Sequence, residues 1–471
     1  MKTFNKNFIN GRWTPITGGE SIEVFNSNDG VVNGKVYFSS KADCLSAVES
    51  AVAAFASWPK VALKERIEYI RAIAQNLEDR QDELALAISR EVGMPLKLAK
   101  RIQVQAPIAA WREYANQAEL ALSETRINNS IITKEPAGVV VAITPWNYPL
   151  HQITGKLPPA ILAGCAVILK PSELAPISAQ LLGEAIEKAK LPSGVINIVF
   201  GGAEAGETLA THDAVDMISF TGSTKIGAHL GSLAGAKLKR VALELGGKSA
   251  GIALNDADPE LVSKFTIGSC MLNSGQTCSA ITRLVIPENQ YEAYKSALKA
   301  AIAKMTLGSS EVETSRVGPL VSERQKERVL GFIEEAQTKH ELIAGGTSTD
   351  VPSEGFFVAP TIFGKVDPNS TLGQEEVFGP VLSVITYKTL DEAISITNGT
   401  KYGLAGAVWS ADHSKAVEVA KQIRAGQIDI NGAAFNPLAP FGGFKFSGIG
   451  REGGVFGIDE YCEIRSLQLS Q

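Results

Sequence analysis

The chain has 471 residues, 45% of them apolar and 20% charged, enough to bury a large core and, by length, to divide into two or three lobes. A net charge of −5 argues against nucleic acid or an anionic membrane as the main partner, because both need a basic footprint. Five irregularly spaced cysteines exclude a disulfide framework or a zinc site, and Met1-Lys2-Thr3-Phe4-Asn5-Lys6 lacks a signal peptide's apolar stretch, so a soluble cytoplasmic protein is expected.

Residues 8–38 alternate short apolar and turn-rich pieces, the pattern of a small strand-bearing lead-in. From Lys41 to Arg112 apolar residues such as Leu45, Val48, Val52 and Phe55 recur at helical spacing, with Asp79 and Asp82 on a solvated face. Residues 124–135 read as a polar extended arm, and the tail from Cys462 to Leu469 alternates similarly; exposed strand edges of this kind invite another chain. From 137 onward, strands at Gly138 to Ile143, Ala166 to Leu169, Val195 to Val199, Met217 to Phe220 and Leu238 to Leu243 alternate with helices near 151–163, 176–190, 203–210 and from about 224. That alternation predicts a parallel sheet covered on both faces, an architecture that binds nucleotides. A second α/β series starts with Ala250 to Leu254 and a helix from about Asp258 running toward Cys278, which puts a lobe boundary near 245–248.

Cys278 lies in Asn273-Ser274-Gly275-Gln276-Thr277-Cys278-Ser279, and 34 residues upstream Glu244 begins Glu244-Leu245-Gly246-Gly247-Lys248. A thiolate can attack an aldehyde to give a thiohemiacetal that loses hydride to leave a thioester. The other cysteines, Cys44, Cys165, Cys270 and Cys462, read as small buried apolar residues. Glu244 is either a strand-end carboxylate in an ion pair or a general base that activates water. In Thr144-Pro145-Trp146-Asn147-Tyr148-Pro149 the Asn147 carboxamide either caps the next helix or donates to an oxyanion. Lys170 and Glu173, at the end of a strand, form either a surface ion pair or a ribose-binding pair; a carboxylate there accepts from both ribose hydroxyls and repels a 2′-phosphate, which favours NAD over NADP. Phe220-Thr221-Gly222-Ser223-Thr224 closes another strand and opens a helix whose free N–H groups suit a pyrophosphate, although it matches neither the usual dinucleotide glycine pattern nor a Walker loop.

Together with Gln374-Glu375-Glu376-Val377-Phe378-Gly379-Pro380 and the loop Pro440 to Gly448, these motifs resemble the aldehyde dehydrogenase superfamily over about Phe8 to Leu469. The resemblance implies an α/β fold with a Rossmann-like NAD-binding domain (1–120 and 138–246), an α/β catalytic domain (247–440) and a small strand arm and tail (121–137 and 455–471) that form a homodimer or homotetramer. It implies an NAD(P)-dependent, hydrolytic enzyme using no metal, with Cys278 as nucleophile, Glu244 as base, Asn147 and the Cys278 N–H as oxyanion hole, and Lys170 beside them. The cofactor would meet Trp146, Lys170, Ser172, Glu173, Phe220, Gly222, Ser223, Leu245, Glu376 and Phe378. The aldehyde would meet Tyr148, Gln152, Gly155, Leu272, Thr277, Ser279, Phe435 and Phe441. Several relatives carry a bulky aromatic at the Gly155 position, so glycine is expected to widen the tunnel for a medium or bulky apolar or aromatic aldehyde. A coenzyme A-acylating relative would lack Glu244, and a structural protein on the same fold would be expected to lose Cys278 or Glu244.

Overall fold

Val139–Ile143, Ala166–Lys170 and Met217–Thr221 are buried along their whole length, as short apolar runs must be when helices cover both faces of a sheet. In the computed structural model, which describes residues 2–470, they form the centre of a sheet ordered Gly448–Ile449, Arg240–Glu244, Met217–Thr221, Val139–Ile143, Ala166–Lys170, Ile196–Ile198, Lys6–Ile9, Arg12–Pro15. Met1 and Gln471, the outer limits of the expected first domain and tail, lie outside the described residues. The strands from Arg240–Glu244 to Ile196–Ile198 run parallel, and antiparallel pairs close both edges. The chain leaves Val139–Ile143 in one direction through Ala166–Lys170 and Ile196–Ile198, then returns to Met217–Thr221 on its other side. That reversal opens a crevice at the carboxyl ends of the two strands, the place where open parallel sheets bind ligands.

Among the helices covering this sheet, Leu63–Glu78 buries Ile67, Ile70, Ile73, Ala74 and Leu77, one stripe at three- and four-residue spacing. Its surface carries ion pairs, among them Asp79 with Lys188 at 3.1 Å, and Asp82 of the next helix pairs with Lys100 at 2.6 Å. An element with no counterpart in the sequence pattern is the π-helical run Ala99–Gln105, which leads into Ala106–Ala121.

Residues 245–249 separate the last long parallel strand from a second sheet, ordered Glu341–Ala344, Thr361–Gly364, Val381–Tyr387, Arg283–Pro287, Ala250–Ala253, Ala405–Trp409, Gln427–Ile430. The chain then comes back: Gly448–Ile449 pairs with Leu243 and Glu244 of the first sheet. The arm and tail form a third sheet in which Cys462–Gln468 pairs antiparallel with Ser130–Pro136, and Thr125–Ile127 takes the outer edge. Among the described residues no helix is long and apolar enough to cross a membrane.

Several boundaries differ from the sequence pattern: the expected helix near 151–163 is two, Pro149–Thr154 and Leu157–Ala163, and two more differences lie at the candidate site. The strand before Glu244 starts at Arg240, because Leu238 is a turn residue with φ of 52° and 94% exposure. Pro259–Cys270 stops short of Cys278, and the chain turns through left-handed Asn273, Ser274 and Gly275 (φ 52°, 56° and 74°).

Candidate active site

That left-handed turn positions the thiol. A Cβ at Gly275 would stand 2.0 Å from the carbonyl oxygen of Gly379, so only glycine passes. Gln276 fastens the turn to both halves of the chain: its Oε1 accepts from Val321 N–H at 2.9 Å, and its Nε2 donates to the carbonyls of Val92 and Asn273 at 3.3 and 3.1 Å. Two residues on, Cys278 is partly exposed while the other four cysteines are buried. The diglycine after Glu244 lies against it, since a Cβ at Gly247 would stand 2.5 Å from the carbonyl oxygen of Cys278. The cysteine and glutamate motifs thus meet backbone on backbone.

Glu244 ends its strand with both carboxylate oxygens buried and without a hydrogen-bond partner, so the strand-end ion pair is not what forms. Burial first, then the Glu452 charge, hold its pKa well above the usual carboxylate range, against the opposing pull of Lys156 and Arg451. Lys156, 1% exposed, donates to Glu452 Oε1 at 2.8 Å and to Ser219 Oγ at 3.2 Å. The loop after Pro440 passes over the carboxylate: a Cβ at Gly442 would be 2.7 Å from Glu244 Oε1. Burial, with the charges of Glu376 and Glu244, pushes the Cys278 thiol up to about 12, which keeps it protonated at neutral pH.

Asn147 is not a helix cap. Pro149–Thr154 has Tyr148 at its N-cap with no side-chain cap, and Asn147 Nδ2 donates across to the carbonyl of Gln276 at 2.9 Å. Of its neighbours, Tyr148 reaches the same segment and Trp146 the segment 374–380. The Tyr148 and Thr277 hydroxyls are 2.7 Å apart, and the Trp146 ring meets Phe378 edge-on at 5.5 Å.

The strand ends around the crevice carry the residues expected to hold a dinucleotide. Lys170 is buried, and its Nζ reaches only the Pro171 carbonyl at 3.3 Å and Glu173 Oε2 at 3.4 Å; burial lowers its pKa. Ser172 is buried beside it, and Gly206 leaves the Lys170 stem 3.6 Å from where a Cβ would stand. The Phe220 ring packs under the turn at Gly222, where a Cβ would come within 2.4 Å of it, and Ser223 caps Thr224–Ala236 by accepting from Ile226 N–H. Leu245 fills the place a Cβ on Gly227 of that helix would need. Thr144 Oγ1 and Thr221 Oγ1, just past or at the ends of the two strands bounding the crevice, are buried without partners, and such orphaned groups fit a polar ligand set against them. On the other wall Glu376 Oε1 accepts from Gly247 N–H at 2.9 Å, and burial raises its carboxyl to about 7. Phe378 is held at φ of 60°, a strained conformation for an aromatic residue.

Of the residues expected to meet the aldehyde, Leu272, Thr277 and Ser279 are partly exposed near Cys278 in sequence, Gln152 is buried, and the rings of Phe435 and Phe441 meet at 6.3 Å on the returning loop. Gly155 does not widen a tunnel as expected. A Cβ there would stand 2.4 Å from Glu452 Oε2, so a carboxylate from the far end of the chain already fills the space. Sequence reasoning missed Gln103, Asn273, Lys156 and Glu452. A lone lysine in the apolar run around Ile153 to Ala163 was a readable signal for Lys156, and Asn273 lies within the cysteine motif; nothing local marks Gln103 or Glu452. It also missed His151, half-buried with its ring 6.2 Å from that of Tyr148 and its pKa lowered by burial.

The aldehyde dehydrogenase family model matches residues 13–467. A Staphylococcus haemolyticus protein named as an aldehyde dehydrogenase is 40% identical over 470 residues, 99% of each chain. Among solved structures, a cysteine-to-alanine variant of Pseudomonas syringae aldehyde dehydrogenase C, complexed with NAD+ and octanal, has a TM-score of 0.96 at 40% identity, covering 98% of this chain and 96% of that one. A Mycobacterium tuberculosis aldehyde dehydrogenase complexed with NAD+ has a TM-score of 0.96 at 37% identity, covering 100% of this chain and 99% of that one. With a family match over nearly its whole length, the cysteine and glutamate segments packed against each other, and relatives of the same fold, the chain belongs to the aldehyde dehydrogenase family.

Proposed function

We propose that this protein oxidises a medium-length or bulky apolar aldehyde to its carboxylic acid, with NAD preferred to NADP, through a thioester on Cys278. The observation that carries the reading is the pairing of the partly exposed Cys278 with Glu244, a buried carboxyl free of any partner. A base that must take a proton from water needs a raised pKa and a free oxygen, and Glu244 has both. Once the Cys278 thiol has lost its proton to solvent, attack by the thiolate sulfur moves charge onto the aldehyde oxygen, where the second Asn147 N–H and the Cys278 amide stabilise it. The nicotinamide supplies, when bound, the acceptor for the hydride whose loss turns the thiohemiacetal into a thioester. Glu244 then draws a proton from water, the hydroxide adds to the thioester, and the Cys278 thiolate leaves with release of the acid.

Lys170, Ser172, Glu173, Gly222 and Ser223 would hold the adenosine and pyrophosphate side, and Trp146, Glu376 and Phe378 the nicotinamide side. NAD complexes of the relatives support this assignment. The Pseudomonas syringae complex with octanal supports an apolar chain of middle length, and the apolar and aromatic residues Leu272, Tyr148, Phe435 and Phe441 supply surface for its burial at about 25 cal/mol per Å². Exposed Ile127 and Ile464 on the arm sheet, at 57% and 75%, support its use as a contact between copies. Cys278→Ala tests the reading: aldehyde oxidation is expected to vanish while NAD still quenches protein fluorescence, and substantial retained oxidation would sink it.

A further inference from the structure

Asn147 is held by its backbone as well as aimed by its side chain. Gln103 Nε2 donates to the Asn147 carbonyl at 3.1 Å, and Asn273 Nδ2 donates to the same oxygen at 2.9 Å. Gln103 is fully buried on the π-helical run Ala99–Gln105, a rare backbone form that recurs at functional sites. Its other amide contact is the Met94 sulfur at 3.2 Å. Asn273, equally buried, sits in the left-handed turn before Cys278.

Both carboxamides leave their own oxygens, Gln103 Oε1 and Asn273 Oδ1, buried with no partner. Unsatisfied buried acceptors are destabilising, so two carboxamides that each leave one while donating to the same carbonyl call for an explanation other than packing. The clamped peptide carries the side chain whose Nδ2 already spends one hydrogen on the Gln276 carbonyl, and Asn273 Nδ2 reaches that carbonyl as well, at 3.4 Å. With the backbone pinned from one side and the amide from the other, the remaining Asn147 N–H has a single direction.

We propose that Gln103 is a positioning residue that acts through Asn147, fixing the direction of its free N–H toward the oxyanion. The inference rests on the reading of Asn147 as the oxyanion donor. Preorganised donors work because they need no reorientation as charge develops, and a misplacement of about 1 Å at a reacting group can cost on the order of 100-fold in rate.

The test is a double-mutant cycle read by single-turnover NADH formation, which reports the steps before deacylation. Gln103→Met keeps the length of the side chain and removes both amide donors; Gln103→Leu is made alongside it in case one fails to fold, and thermal melting checks both. Gln103→Met is expected to slow the single turnover about tenfold with KM for aldehyde and Kd for NAD unchanged. Asn147→Ala is expected to slow it about 100-fold, and adding Gln103→Met to that variant should slow it no further. A wild-type rate in the Gln103 variants, or the same fractional loss in both backgrounds, would overturn the proposal while leaving Asn147 in its role. A wild-type rate in Asn147→Ala would overturn the reading of Asn147 and the proposal with it.

Discussion

Gly155→Ala is the smallest change that probes how the glutamate site is built. The added Cβ would stand 2.4 Å from Glu452 Oε2 and 2.8 Å from its carboxyl carbon, distances no real Cβ tolerates, so the carboxylate must turn away. Turning breaks its 2.8 Å bond with Lys156, an amine only 1% exposed that then keeps a single 3.2 Å contact with Ser219. Removing one partner of a buried ion pair costs about 3–5 kcal/mol; here both groups remain, and the carboxylate is the flexible, 17% exposed end of its side chain, so the expected loss falls below that range, at about 2 kcal/mol. Urea unfolding of wild type and variant measures this directly. A series of aldehydes from acetaldehyde to octanal, assayed by NADH absorbance, is expected to fall in kcat across its length with little change in rank order. A variant as stable as wild type whose preference moves toward acetaldehyde would refute the reasoning, and would return Gly155 to the wall of an open tunnel.

The same contacts predict a pH effect. Glu452 raises the Glu244 pKa against the opposing pull of Lys156 and Arg451, so Glu452→Gln should move the acidic limb of the kcat profile to lower pH; an alkaline shift would contradict this electrostatic picture. In the wild type, rising pH ionises both Glu244 and the Cys278 thiol, so kcat/KM is expected to climb through the neutral range rather than fall. For the cofactor, kcat/KM should favour NAD over NADP, and Glu173→Gln should narrow the ratio by removing the like charge that opposes a 2′-phosphate. Equal use of both by the wild type would show that a nearby cation outweighs Glu173.

The parts of this molecule legible in its sequence are those with local causes. Val139–Ile143, Ala166–Lys170 and Met217–Thr221 announce themselves as apolar runs between helical periods, and the residues at their ends inherit their place from the sheet. Asn147 was readable as a loop residue with two possible duties; only the bond to Gln276 rules out the helix cap. Gly155 shows the limit. A glycine reveals that side-chain volume is missing, whereas what fills the space depends on Glu452, nearly 300 residues later. The clamp on Asn147 was unreadable for a related reason, because Gln103 and Asn273 act through a π-helical run and a left-handed turn that no propensity scale marks.

The most direct test of the account is a rapid-mixing experiment on Glu244→Gln. The amide keeps the size of the side chain and removes the base, which contributes on the order of 100- to 10,000-fold in such sites. One equivalent of NADH per active site should form at close to the wild-type rate, steady turnover should drop by that order, and intact-mass and peptide analysis should find the acyl group on Cys278. Unchanged steady turnover, or a burst with no adduct on Cys278, would contradict the thioester route and the role given to Glu244.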